Sequence, residues 1–402
     1  MDSIAVIGAG VSGCALAARL RQLGYAGPLD LWETGRGAGG RASTRRSRRD
    51  PALQIDHGAP FFNIVATPPP ALLEPLLSGG HGEPWQGRLA LLRGEQTLEL
   101  DGRDALASGS LYRGRGGMDQ IANGLLAIAR AAKQAPVTLH ASCLVRELRR
   151  GPRGGWQLLD RHGELLGEAR WLVLSGTLLA HPRTSLILGW PDVPLKTAAA
   201  GLGDLQLEHA LTTIAGIRSE ARSNLLAVLD PAAARDWLAL PFQLLGFDAA
   251  AQQRWGLRRV SVQALRDGRC AVVAHSTHAF ANDHLEVIGS RSALAQLLDL
   301  PPDPGREERV IDLLTTALEE VMTPLLQEAR GLRRAERQLM RWGAAFPVAP
   351  GLPRELSLCR QSQVGFCGDY ITGPGFGRIE GALRSAERLA ETLVGELGRG
   401  RG

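Results

Sequence analysis

Glycines are the first residues in the chain whose spacing suggests chemistry. Gly8-Ala9-Gly10-Val11-Ser12-Gly13 is a GxGxxG, preceded by the apolar run Ile4 to Ile7 and followed by a helical pattern that ends at Gly24. Strand, glycine turn and helix in that order can hold a dinucleotide. Gly8 permits the tight turn, Gly10 lets backbone approach a pyrophosphate, and Gly13 lets helix and strand pack closely. The helix start at Val11 and Ser12 offers unpaired N–H groups and the positive end of its dipole to the phosphates. Twenty residues beyond Gly13, Glu33 closes a second strand, Leu29 to Trp32, with Thr34 beside it. An acidic side chain there accepts hydrogen bonds from ribose hydroxyls. The motif alone leaves NAD and FAD both open.

Two further clusters surround this unit. Gly39-Gly40-Arg41 lies in a glycine- and arginine-rich loop, and Asp56-His57-Gly58-Ala59-Pro60-Phe61-Phe62 follows it. Near the other end, the apolar run Val364 to Cys367 leads into Gly368-Asp369-Tyr370. Gly373 to Gly377 then precedes Glu380-Gly381-Ala382, at the head of a helix predicted over 379–397. The middle of the chain differs in texture, mixing strands such as Val260 to Leu265 and Cys270 to His275 with an amphipathic helix over 306–322. It reads as an insertion between two parts of one nucleotide-binding domain.

Length and composition set the frame. A chain of 402 residues exceeds one small core, so two joined domains are expected. The net charge of +5 is carried almost wholly by arginine, Lys133 and Lys196 being the two lysines. A bias of that kind needs no nucleic-acid partner to explain it. Five scattered cysteines without a CxxC exclude a zinc knuckle and a dithiol motif and suit a reducing, cytoplasmic setting. The chain opens directly on a strand, so no signal peptide is expected, and no run approaches the roughly 18 apolar residues of a membrane span. His275 and His278 would point to opposite faces of a strand end, so no metal is expected. No G-x-S-x-G elbow is present for serine hydrolysis.

The GxGxxG, the stretch from Glu33 to Arg41 and the stretch from Asp56 to Phe62 resemble the N-terminus of the monoamine oxidase and phytoene desaturase superfamily of FAD enzymes. Asp56-His57-Gly58-Ala59, Tyr112 to Met118, and Arg341-Trp342 with Pro347 are similar, more narrowly, to renalase-like proteins. The GD and EGA segments near the end resemble the superfamily's closing motif. The likeness covers residues 1–65, 110–130 and 340–395 and is thin between 180 and 250.

This resemblance implies an α/β fold. A Rossmann-type FAD-binding domain of the GR2 kind would comprise 1–68, 112–180 and 345–402. An α+β substrate domain on a mixed or antiparallel sheet would comprise 69–111 and 181–344. Noncovalent FAD is implied, because Cys359 and Cys367 lie too close to Gly368 for a flavin link. Arg41 inherits a place at the FAD phosphates, with Gly40, Gly58 and Ala59 beside it and Arg36 near the adenosine. Gly368 and Asp369 would meet the ribityl chain, and Gly377, Glu380, Gly381 and Ala382 the flavin pyrimidine. His57, Trp342 and Tyr370 are the pocket candidates.

The implied activity is hydride transfer from a dihydronicotinamide-type substrate to FAD, with molecular oxygen as the final acceptor giving hydrogen peroxide. Flavin-dependent amine oxidation is an alternative. It usually needs an aromatic pair and a lysine-held water, and the chain offers three tyrosines and Lys196 for these. Desaturation of a polyene would need an apolar, membrane-facing stripe that the sequence does not display. A non-catalytic FAD- or pigment-binding assembly factor is a further alternative, because substrate-side motifs are missing between 175 and 250. Two departures stand out: Ala386 where relatives carry a second glycine after EGA, and Ser175-Gly176-Thr177 where a proline-rich turn is usual.

Overall fold

The structure is a computed structural model describing residues 2–132, 134–152, 154–287, 289–290, 292–326 and 331–399. Its first sheet has six strands, in the order Val137–Ala141, Leu29–Glu33, Ile4–Ile7, Trp171–Leu174, Val364–Phe366 and Leu358–Cys359. Five run parallel and the last pairs antiparallel. Ile4–Ile7 and Trp171–Leu174 are buried along their whole length, which is why they read as continuous apolar runs. The chain's two ends therefore meet in one sheet, with Leu172 opposite both Ala5 and Val364.

One face of this sheet is covered by the helices Val11–Gln22, Asp119–Ala131 and Ile379–Arg399. Ala15, Ala17 and Ala18 are small and fully buried, so the first helix lies close against its neighbours Leu125, Leu383 and Leu389. The other face carries a three-stranded antiparallel sheet, Glu147–Arg150, Trp156–Leu159 and Leu165–Ala169. The helices Pro194–Ala199 and Leu205–Gly216 join that layer through Leu195, Leu207 and Ile214. Residues 194–217 thus pack with the nucleotide sheet, although division of the sequence at 181 puts them in the insert. Their apolar side chains complete the core around Trp156 and Leu172.

The second sheet has seven strands, in the order Glu336–Pro347, Ser219–Leu229, Cys270–Ser276, Leu257–Ala264, Leu244–Phe247, Leu89–Arg93 and Thr97–Leu100. It is mixed: Leu244–Phe247 runs parallel to Leu89–Arg93, and every other pair is antiparallel. Strand alternation divides its two faces. Leu225, Val260, Val272 and Ala274 pack under the helix Pro304–Met322 through Val310, Leu314 and Leu318. Leu226, Val228 and Val273 face the other way, onto Leu53 and Ile55 of the hairpin Thr44–Arg46 and Gln54–Asp56. That second face closes over the start of the Asp56-His57-Gly58-Ala59 turn. No helix among the described residues is long and apolar enough to cross a membrane.

Candidate functional site

The glycine turn is built as its spacing predicts. Gly8 has φ +101°, and its N–H donates to Trp32 O at 2.8 Å. A Cβ on Gly13 would stand 2.1 Å from Gly8 O, so the helix start rests directly on the turn. Ser175 secures that turn from the neighbouring strand. Its hydroxyl lies 2.9 Å from Ile7 O and 2.8 Å from Gly8 O, and Ser12 Oγ donates to Ser175 O. The sequence marked Ser175 as a departure without showing this role.

Gly10 differs from its neighbours. Its backbone is extended (φ −70°, ψ −177°), and no atom lies within 4 Å of where a Cβ would be. The amides of Val11, Ser12 and Gly13 open the helix beside this space and have no intrahelical acceptor. A β-carbon on Gly10 would fill a cradle suited to a pyrophosphate. Glu33 borders it half-buried, one oxygen accepting from Ala9 N at 2.9 Å and the other from Gly35 N at 2.6 Å, with Thr34 Oγ1 at 3.3 Å. Its carboxylate braces the loop and retains lone pairs for a ribose. Arg36 is exposed on the loop beyond.

The Gly40–Ala42 turn crosses above, with a Cβ on Gly40 only 3.2 Å from Gly10 Cα. Gly58 and Ala59 hold that turn. A Cβ on Gly58 would meet Arg41 O at 2.0 Å, and Ala59 N donates to the same oxygen at 3.1 Å. Arg41 in turn reaches Asp369, 328 positions away, through two bonds of 2.7 and 2.6 Å, and also donates to Ala345 O. Asp369 is nearly buried, whereas the Arg41 side chain stays 42% exposed. Planar fork-to-carboxylate pairs of this kind are directional as well as strong. Near Arg41, Arg183 has a buried Nη1 with no partner among the described residues; its pKa is pushed below the ordinary value by burial first and then by the charge of Arg41. Arg41 is neutralised by Asp369, and the nearby Arg183 guanidinium leaves positive charge for an anion. No sequence motif marked Arg183.

The closing motif does less at the cofactor than the sequence suggests. Gly377 N donates to Asp369 O at 2.9 Å, which fixes the turn. Gly381 N and Ala382 N are already taken, by Gly375 O and Arg378 O. Glu380 is fully buried and accepts from Val65 N, Ala66 N and Arg384 Nε at 3.1, 3.0 and 3.1 Å. It clamps the last helix to the 65–66 segment. Tyr370, a pocket candidate in the sequence, is buried. Its ring packs on Gly368 and its hydroxyl donates to Leu174 O at 3.1 Å. Ser385 Oγ accepts from Gly368 N at 2.9 Å, and Ala386 is fully buried.

His57 and Trp342 do meet, stacked at 5.7 Å with 11° between their planes. His57 Nε2 lies 3.3 Å from Ser43 Oγ, its carbonyl accepts from Asn224 Nδ2 at 2.8 Å, and Nδ1 has no partner among the described residues. Trp342 Nε1 is likewise buried and unpaired. Burial pushes the His57 pKa down to about 4, so the ring is neutral near pH 7. A lowered pKa means that the unfolded chain takes up the proton first. Stability is full above pH 6.5 and falls as pH drops toward 4. Between pH 6.5 and 5 this side chain alone costs about 2 kcal/mol. Urea midpoints at pH 7.5 and pH 5 should show a loss smaller by about that amount in His57→Gln than in the wild type.

Residues 6–71 match the NAD(P)-binding Rossmann-like domain family. No curated protein sequence matches the chain. Over nearly its whole length the structure resembles a putative protoporphyrinogen oxidase from Exiguobacterium sp. 255-15, with TM-score 0.59, 11% identity and 98% of each chain covered. It also resembles an oxidoreductase from Methanosarcina mazei, with TM-score 0.59, 12% identity, and 97% of this chain and 100% of that one covered. Wild-type putrescine oxidase bound to putrescine gives TM-score 0.57 at 12% identity, covering 98% of this chain and 99% of that one. The chain thus has the fold of these proteins, a Rossmann-like α/β domain split by an insertion on a mixed sheet.

Proposed function

We propose that the chain is an FAD-dependent oxidoreductase of renalase-like type, oxidising a small reduced ring related to dihydronicotinamide. The observation that carries this reading is the convergence of Gly10, Arg41 and Asp369. An open phosphate cradle from the first residues is bordered by an arginine that is paired with the aspartate of the closing turn. A dinucleotide held from both ends of the chain in this way suits FAD better than NAD. The fold shared with a protoporphyrinogen oxidase and a putrescine oxidase supports the same cofactor.

When bound, noncovalently, FAD supplies the hydride acceptor and returns the electrons to oxygen as hydrogen peroxide. The protein's own residues do the rest. The amides of Val11, Ser12 and Gly13 bind pyrophosphate oxygens, Glu33 receives the ribose, and Arg41 with Arg183 offsets the phosphate charge. His57 and Trp342 form a flat wall that keeps water from the reacting ring. A histidine titrating at about 4 is a poor base at neutral pH. That suits a substrate whose oxidised form is an aromatic cation and needs no proton removed. Amine oxidation fits less well, since Lys196 is exposed on the helix Pro194–Ala199.

Anaerobic titration of the yellow protein with NADH, NADPH and their mis-reduced ring isomers tests the substrate. Rapid bleaching by the isomers, reversed by air with peroxide formed, is expected. A flavin inert to all of them overturns the substrate assignment and favours an assembly factor.

A further inference from the structure

We infer that the sheet face above His57 and Trp342 is a subsite for an anionic group carried on a planar ring ligand. The inference rests on the oxidoreductase reading for its place beside the cofactor; the charges themselves stand on the geometry.

Strand register places four polar side chains and Trp342 on one face. Arg222 lies opposite Trp342, Asn224 opposite His275, and Arg259 opposite His275. This is the face that carries Leu226 and Val273 toward Ile55, and Asn224 joins it to the His57 carbonyl. Arg258 sits where the register shifts between Leu257 and Arg259. Arg222, Asn224 and Arg259 are 3%, 1% and 7% exposed.

Charge in this cluster does not balance. Arg222 pairs with Glu220, and Arg259 with Asp104 at 3.0 Å. Arg258 has no carboxylate partner among the described residues. Three guanidiniums therefore face two carboxylates. Their hydrogen-bonding capacity is also unspent: Nε of Arg222, Arg258 and Arg259, His275 Nε2, Asn224 Oδ1, His57 Nδ1 and Trp342 Nε1 are all buried without a partner among the described residues. Burial pushes His275 down to about 3, helped by the charges of Arg259, Arg222, His57 and Arg258, which places those four groups near His275. Buried donors and net positive charge left open in this way are costly and are retained where a ligand repays them.

The aromatic side chains supply the shape. Arg222 stacks over Phe346 at 5.3 Å and Arg259 over Phe61 at 5.3 Å, while Trp342 covers His57. Flat apolar surfaces flanked by forked cations suit a planar ring bearing a carboxylate or phosphate, and they repel an ammonium group. The reduced ring oxidised here therefore carries an anionic substituent.

Calorimetric titration of the FAD-loaded protein with benzoate, nicotinamide mononucleotide, benzamide and benzylamine tests this. At least one of the two anions should bind roughly ten- to a hundredfold more tightly than benzamide, the factor expected of charge-assisted hydrogen bonds. Preference for benzoate identifies a carboxylate ligand, and preference for the mononucleotide a phosphate. Arg258→Gln and Arg222→Gln should each weaken the preferred anion roughly tenfold and leave benzamide unchanged. Benzamide or benzylamine binding as tightly as both anions overturns the inference. So does unchanged anion affinity in both variants when their melting temperatures match the wild type. Flavin content of the same sample separates the two readings: a protein that holds no FAD fails the oxidoreductase reading, and a yellow protein without anion preference fails this one alone.

Discussion

Gly10→Ala is expected to fold like the wild type and to lose its dinucleotide, whereas Gly13→Ala, three positions on, is expected to lose stability as well. At Gly10 the backbone is extended, a conformation alanine adopts freely, and nothing lies within 4 Å of the added carbon. The methyl group intrudes only on the space a pyrophosphate needs. Overpacking by one methyl costs roughly 1–3 kcal/mol, here charged to binding alone, so FAD affinity should fall about 5- to 150-fold. At Gly13 the same carbon would stand 2.1 Å from Gly8 O and 3.1 Å from Ser175 Oγ, and a backbone oxygen cannot swing aside. There the cost falls on the turn itself. Melting temperatures of the flavin-free proteins and flavin content after reconstitution read the two effects apart. Full flavin content in Gly10→Ala would contradict the placement of the cradle.

Glu380→Ala should be the most destabilising change at the closing motif, by about 3–5 kcal/mol, the range for removing one partner of a buried ionic contact. The carboxylate is wholly buried and receives two backbone amides and the Arg384 guanidinium. Its removal takes the acceptor from Val65 N and Ala66 N, on a segment where Val65 is itself exposed to water. Arg384 retains Ala66 O and Pro68 O, which tempers the loss. Glu380→Gln keeps one acceptor and should recover about half. Urea unfolding measures the stability, and flavin content of the folded fraction should stay near that of the wild type. Unchanged stability with lost flavin would return Glu380 to the cofactor.

The parts of this fold that were legible in the sequence are those set by neighbouring residues. The strand Ile4–Ile7, the glycine turn and the last helix, predicted over 379–397 and found at Ile379–Arg399, follow from local periodicity and caps. Residues 137–150 hold two strands, Val137–Ala141 and Glu147–Arg150, in different sheets. The break comes at Ser142, whose φ of +54° no pattern of apolar residues announces. At the candidate site, residue types pointed to loops but not to partners hundreds of positions away. Glu380 and Tyr370 carried the motif, yet their polar atoms are spent on Val65, Ala66 and Leu174. Arg222 and Arg259 belong to no motif, and it is the sheet order that turns them inward. Ser175 and Arg183 act through contacts that only the folded chain creates.

Flavin content of the purified protein bears most directly on the oxidoreductase reading. Acid precipitation should release yellow FAD into the supernatant in stoichiometric amount, as expected for a noncovalent cofactor held between Gly10, Arg41 and Asp369. A colourless protein that takes up no FAD on incubation would contradict it.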